Sequence, residues 1–292
     1  MNGTFAGRGA YRYLLPALVL EGLLVFVPLG SSIYYSLHKV RFFQLQEFHW
    51  FRNYVDVLAH PLFLNAILVT LAFSIAALLL TFAVGFGLAL FLNHDRLHST
   101  ILRTIVLVPY VIAMLVGSML LKWIFSTESG LVTLAAAWLG LGSVSILADP
   151  VNAFAALVAN GIWRDSAFAM VLLLAGLRSI PPQLIAAARI DGARPFFIFR
   201  EIVVPLLGPI MLITMVRLLL HFANVLTFPL ILTGGGPNGA TETLALRIFR
   251  VGFEDYDLGR ANAMAVILCV FNVIAVSLLF GVFRWRARRS HA

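Results

Sequence analysis

Charged side chains are scarce: Asp, Glu, Lys and Arg make up 12% of the 292 residues, against 61% hydrophobic. Soluble proteins carry about a quarter charged residues and roughly half apolar ones. One water-facing core cannot hide such an excess, so a water-soluble enzyme and a disordered chain are both excluded. Cysteine is almost missing. Cys269 alone permits no internal disulfide and no cysteine-built metal site, and it leaves the redox compartment unreadable. Lysine is nearly as rare: of 21 basic residues only Lys39 and Lys122 are lysine. Neither follows a glycine, so the chain has no Walker-type phosphate loop and does not hydrolyse nucleotide by that route. Acids are outnumbered 13 to 21, which gives a net charge of +8. The basic residues fall in short clusters between apolar runs and form no continuous face, which argues against nucleic acid as a partner.

Long apolar runs are what the sequence does contain. A transmembrane helix needs about 20 apolar residues, and six segments qualify: 13–37, 65–92, 104–125, 152–177, 202–228 and 261–283. The expected fold is an all-α membrane protein of six transmembrane helices embedded in lipid. The first segment is too long for a signal-peptide core, lacks an A-x-A cleavage pattern and is read as retained. With the N-terminus in the cytoplasm, that side holds Arg8, Arg12, Arg96, Arg103, Arg178, Arg189, Arg194, Arg200, Arg284, Arg286, Arg288 and Arg289. The other side holds Lys39, Arg41, Arg52, Arg247, Arg250 and Arg260. The bias places both termini in the cytoplasm. Residues 1–12 are then a cytoplasmic N-terminus, 13–283 a six-span domain and 284–292 a basic cytoplasmic tail. Pro16, Pro28, Pro109, Gly161, Pro205 and Pro209 lie within spans, which suits a packed bundle in which neighbours satisfy freed backbone groups. Ala76, Ala77, Ala83, Gly85, Gly87 and Ala89 give the second span a small surface for close helix approach.

The loop at about 178–201 is the most informative stretch. Two prolines end the fourth span, a short helix is predicted over 183–191, Gly192 suits a left-handed helix end, and Pro195 suits the first turn of the next helix. Small Ala186, Ala187 and Ala188, then Phe196, Phe197 and Phe199, give this helix–Gly–helix hairpin an apolar surface. Such a surface either docks in a groove on a partner protein or folds against the helix ends.

Within this stretch Ala187, Ala188, Asp191, Gly192, Ala193, Phe199, Ile202 and Pro205 match the EAA loop pattern, with Ala186 and Val204 in place of the usual Glu and Leu. Phe51, Asn53, Tyr54, Phe63, Asn65, Ala66 and Thr70 match the entry into the second span. Trp163-Arg164 matches a W-[KR] pair in the fourth. LTGGGP at 232–237, Thr243-Leu244, Arg250, Phe253 and D-x-G-x-A at 257–261 follow in order. On these motifs the chain resembles the permease subunits of ABC importers, in the sugar branch that includes maltose-type and glycerol-3-phosphate-type permeases. The resemblance implies a second permease subunit, a dimeric ATPase that binds ATP and Mg, an extracytoplasmic substrate-binding protein and a sugar substrate. It implies no catalysis and no cofactor on this chain. It also implies that Ala187, Ala188, Arg189, Asp191, Gly192, Ala193, Phe196 and Phe199 contact the ATPase, the carboxylate usual at Ala186 being absent. A membrane-embedded enzyme would need converging acids or histidines, and a secondary transporter an inverted repeat; the sequence shows neither.

Ionisable groups inside spans are costly and mark function by default. Arg164 and Asp165 lie near the middle of the fourth span, about 100° apart on a helix and so poorly placed to pair with each other. Thr214, Arg217, His221 and Asn224 are spaced 3, 4 and 3 along one face of the fifth. Such a polar stripe is either a water-lined substrate pathway or an interhelical hydrogen-bond seam, and sugar hydroxyls favour the pathway. His221 has no second histidine at metal-ligand spacing. Asp165 and Arg217 are expected to pair across the two spans, leaving Arg164 free to face the solute.

Overall fold

The structure is a computed structural model that describes residues 9–94, 97–140 and 145–289. Arg8 and Arg96, and the ends of the chain at 1–8 and 290–292, lie outside the described residues. The chain separates into two compact units, Met1–His60 with Ile248–Cys269 and Pro61–Arg247 with Val270–Ala292.

The first unit begins with α1 (Gly9–Ser36), whose apolar side chains from Tyr13 to Tyr35 stay largely exposed while Ser36 at its end is buried. Two strands follow, β1 (His38–Arg41) and β2 (Gln44–Phe48), paired antiparallel. This hairpin departs from the all-α expectation: the molecule is mostly helical. Phe42 and Phe43 take positive φ at its tip, 49° and 62°, where a two-residue turn usually calls for Asn or Gly; hydrophobic patterning alone gave no signal for it. Helix α2 (Arg52–Leu58) returns Asn53, whose amide donates to the carbonyls of Ser36 and His38, both at 2.8 Å. Arg41 meets Asp257 at 3.3 Å, and Arg260 meets Asp56 at 2.8 Å. A Cβ on Gly259 would stand 2.6 Å from the His38 carbonyl oxygen, so only glycine fits there. The distant motif residues Asn53, Asp257 and Gly259 thus meet in one structural clasp.

In the second unit α3 (Pro61–Phe91) lies along α7 (Pro150–Ser179), and both pack on α10 (Val204–Asn224). Apolar burial earns little in lipid, so such contacts depend on close van der Waals approach and interhelical hydrogen bonds. A Cβ on Gly85 would come within 2.5 Å of the Ala169 Cβ and 2.9 Å of the Ser166 carbonyl, whereas one on Gly87 would meet nothing within 4 Å. Of the small surface predicted for the second span, Ala77, Gly85 and Ala89 are buried, whereas Ala83 and Gly87 are exposed. Phe73 of α3 and Phe222 of α10 meet edge to face at 5.7 Å. Asn65 donates to the Gly239 carbonyl at 2.9 Å, and the Thr70 hydroxyl receives the Leu244 N–H at 2.7 Å, tying the second span to the chain after the Gly-rich turn.

Among the described residues five helical stretches are long and apolar enough to cross a membrane. The third predicted span is different. It consists of α4 (Leu97–Val111) and α5 (Met114–Ile124), bent by 94° at the break between them. Pro109 lies within α4, but the chain turns three residues later, around Ile112 and Ala113. Counting the bent pair as one crossing gives six. Helices α6 (Leu131–Trp138), α8 (Pro182–Ile190), α9 (Pro195–Ile198) and α11 (Leu244–Phe249) are short, and α12 (Leu258–Arg289) is the last long one.

Candidate functional site

Halfway along α7, Asp165 is fully buried. Arg217 on α10 donates from Nη1 to its Oδ1 at 3.0 Å, and His221 Nε2, one turn further on, lies 3.2 Å from its Oδ2. A carboxylate in such a place is tolerated when opposite charge and hydrogen bonds compensate its desolvation. The expected cross-span pair is therefore present, with His221 as an additional partner that the sequence placed only on the same stripe. The Arg217 guanidinium also lies over the Phe168 ring, 4.1 Å from its centroid, and its Nη2 reaches the Tyr110 hydroxyl at 3.4 Å. Tyr110 and Phe168 stack with ring centroids 5.7 Å apart. Neither aromatic stood out in the sequence; the one signal was a tyrosine beside Pro109 inside a span.

The other members of the stripe do not join this cluster. Thr214 is buried and donates to the Ile210 carbonyl of its own helix at 2.8 Å. Asn224 is exposed, donates to the Leu220 carbonyl at 2.7 Å and accepts from Asn272 on α12 at 3.0 Å, an interhelical seam contact. Arg164 is not free, contrary to expectation. Its Nη1 donates to the carbonyls of Pro109, Tyr110 and Ile112 at 3.3, 3.1 and 2.8 Å. The physical reason is the break: a helix ending at Val111 leaves carbonyls without intrahelical donors, and a nearby cation takes them.

The loop between α7 and α10 has the opposite character. Helix α8 buries none of its residues. Gly192 closes it with φ 78°, the Gly192 N–H donating to Arg189 and the Ala193 N–H to Ala188. This bond pair is a Schellman end, as the glycine implied. Pro195 begins α9, and a π-helical stretch Phe199–Val203 leads into α10. Ala187, Arg189, Asp191 and Gly192 are exposed, as are Ile190 and Phe196 at 87% and 72%. Ala188, Ala193 and Phe199 instead turn partly inward, Phe199 stacking on Phe86 of α3 at 6.1 Å. A hollow of about 520 Å³ opens among Ala188, Asp191, Ala193, Arg194 and Phe197. Five of the eight predicted contact residues thus form an open surface, and the other three fasten that surface to the helices.

Residues 81–288 match the family described as the inner membrane component of binding-protein-dependent transport systems. The trehalose/maltose transport system permease protein MalF of Thermococcus litoralis is 33% identical over 276 residues, 94% of each chain. The sn-glycerol-3-phosphate permease UgpA of Yersinia pestis is 32% identical over 283 residues, 96% of this chain and 94% of its own. The sulfoquinovosyl glycerol permease SmoG of Agrobacterium fabrum is 30% identical over 286 residues, 94% of this chain and 90% of its own. Among solved structures, a chain of a bacterial alginate ABC transporter, crystallised with its alginate pentasaccharide-bound periplasmic protein, shares the fold with a TM-score of 0.80. It has 23% identity over 95% of this chain and 94% of the other. The chain belongs to the family of binding-protein-dependent transport system inner membrane components: it is a multi-pass inner membrane permease of an ABC importer, a transport subunit and not an enzyme.

Proposed function

We propose that this permease imports a carbohydrate or a small phosphorylated or sulfonated polyol, and that it forms half of the translocation pathway beside a second permease subunit. The observation that carries the solute class is similarity over more than nine-tenths of the chain to permeases named for trehalose/maltose, sn-glycerol-3-phosphate and sulfoquinovosyl glycerol. An extracytoplasmic binding protein delivers the solute. Counting the bent α4–α5 pair as one crossing puts both termini and the α8–α9 loop on the same side, and the Arg bias makes that side the cytoplasm. There the exposed surface of Ala187, Arg189, Asp191, Gly192 and Phe196, with Ala188, Ala193 and Phe199 anchoring it, docks on a dimeric ATPase that binds ATP and Mg. Exposed apolar side chains on a short, well-closed helical hairpin are the kind of element that fits a partner's groove.

Along the pathway, Arg217 and the Tyr110 and Phe168 rings offer hydrogen-bond donors and stacking faces to a sugar. Asp165 and His221 hold Arg217 in place. Asn224 extends the polar face along α10, Arg164 shapes it from α7, and buried Thr214, bonded to its own helix, lies behind it.

Proteoliposomes containing the chain with its second permease and ATPase test this reading. ATP-dependent uptake of labelled maltose, trehalose or sn-glycerol-3-phosphate that requires the binding protein is expected. Uptake that runs on an ion gradient without ATP would overturn it in favour of secondary transport.

A further inference from the structure

We infer that Arg164 is a positioning residue for transport, a latch that fixes the bend of the broken α4–α5 span against α7, with Tyr110 linking that latch to the Asp165–Arg217 pair. The inference rests on the importer reading above, and it concerns residues to which that reading gives no mechanical role.

The α4–α5 break sits in a segment apolar enough for the membrane, where a backbone carbonyl without a donor is expensive. Helix α4 ends at Val111 and α5 begins at Met114 after Ala113, whose side chain provides no cap. The carbonyls of Pro109, Tyr110 and Ile112 are all taken by one nitrogen, Nη1 of Arg164. A guanidinium suits this task because it stays charged and presents planar donors, and its positive charge complements the negative end of α4. Its Nε is buried without a hydrogen-bond partner, so the side chain satisfies the break at some cost to itself.

The same face of α7 receives the next part of the span. Asn160, one turn before Arg164, donates to the Ser118 hydroxyl of α5 at 3.0 Å. Gly117 of α5 lies against the Trp163 ring, where an added Cβ would stand 3.4 Å from Cζ3. Asn160, Trp163 and Arg164 together form a seat for the bent span. Tyr110, whose carbonyl Arg164 holds, has its ring 5.2 Å from the Arg164 guanidinium carbon and its hydroxyl 3.4 Å from Arg217 Nη2. A change of the bend therefore moves the group that touches Arg217, and displacement of Arg217 reaches the break by the same route. Two discrete arrangements of one packed element, biased from two places, are what a conformational coupling requires.

The test uses the assembled complex, with its second permease and ATPase, in lipid nanodiscs. Spin labels replace exposed Ile105 on α4 and Val171 on α7 in a Cys269→Ser background. Distance distributions and ATP hydrolysis without the binding protein are both measured. Wild type is expected to give one narrow distance and a low hydrolysis rate. Arg164→Gln removes charge-assisted hydrogen bonds, so a second distance and a hydrolysis rate per assembled complex about tenfold higher are expected. Arg164→Lys, which keeps the charge but not the planar fork, is expected between the two. Tyr110→Phe is expected to keep the narrow distance and raise hydrolysis less. A brace with no role in transport would change the yield of complex and leave the rate per complex unchanged. Wild-type distances and rates in Arg164→Gln would overturn the latch, as would wild-type behaviour of Arg164→Lys should the Gln variant not assemble. A native rate in Tyr110→Phe would remove the link to Arg217. A wild-type complex whose ATP hydrolysis ignores its binding protein would overturn the importer reading instead and leave the distance result standing.

Discussion

The buried α7–α10 cluster and the exposed α8–α9 loop belong to one stretch of chain, yet they solve opposite problems. Asp165 is fully buried and has Arg217 and His221 within 3.2 Å. Helix α8 buries nothing, and Ile190 and Phe196 stand in the open. The first region is energetically closed: its charges find partners inside the molecule, and loss of one member strands the others. The second is energetically open, with backbone bonds complete and side chains left over for another protein. Sensitivity to mutation should therefore appear as instability in the first region and as lost coupling in the second.

The largest cost in stability is expected from Asp165→Ala. Breaking one side of a buried ion pair typically costs about 3–5 kcal/mol, here by stranding Arg217 and His221. Thermal unfolding of the purified complex should fall sharply, and Arg217→Gln added to Asp165→Asn should cost less than the sum of the two single changes. Strict additivity would break the description of the cluster as a unit. Gly85→Ala should come next, at about 1–3 kcal/mol of overpacking, because Ala169 Cβ and the Ser166 carbonyl leave no room. Gly87→Ala, with nothing within 4 Å, should be neutral or slightly stabilising. Equal effects at the two glycines would mean that α3 and α7 do not meet as described.

In the open region the same assay should hardly respond. Gly192→Val faces no steric neighbour but must hold φ 78°, a strain of about 1–2 kcal/mol that the loop relieves by reshaping its end. Insertion and unfolding temperature should stay close to native while binding-protein-stimulated ATP hydrolysis is lost; full stimulation would contradict the coupling assignment. Phe196→Ser should be the mildest for stability, within about 0.5 kcal/mol for an exposed site, and should still reduce stimulated hydrolysis. A large fall in unfolding temperature would show that Phe196 packs within the chain.

Much of this contrast was legible in the sequence. Apolar length gave the spans, Gly192 and Pro195 gave the loop geometry, and the cost of isolated charge predicted that Asp165 and Arg217 would meet. The rest depends on tertiary context. The bend in the third segment is not at its proline; it depends on carbonyls that Arg164 satisfies from a distant helix, and periodicity carries no trace of that. The hairpin tip at Phe42-Phe43 lacks the residues its turn prefers, and the tip is held instead by the Phe42 N–H to the Tyr256 carbonyl at 2.9 Å and by stacking of the two rings. Tyr110 and Phe168 read as ordinary span aromatics until both are placed beside Arg217.

The central claim is that the α8–α9 loop is where force from the ATPase enters. Photo-cross-linking in living cells tests it most directly, with benzoylphenylalanine replacing Phe197 in the loop or Phe43 at the hairpin tip, both exposed. An adduct with the ATPase subunit is expected from position 197 and none from position 43. An ATPase adduct from position 43, or its absence from position 197 in a complex that still transports, would contradict it.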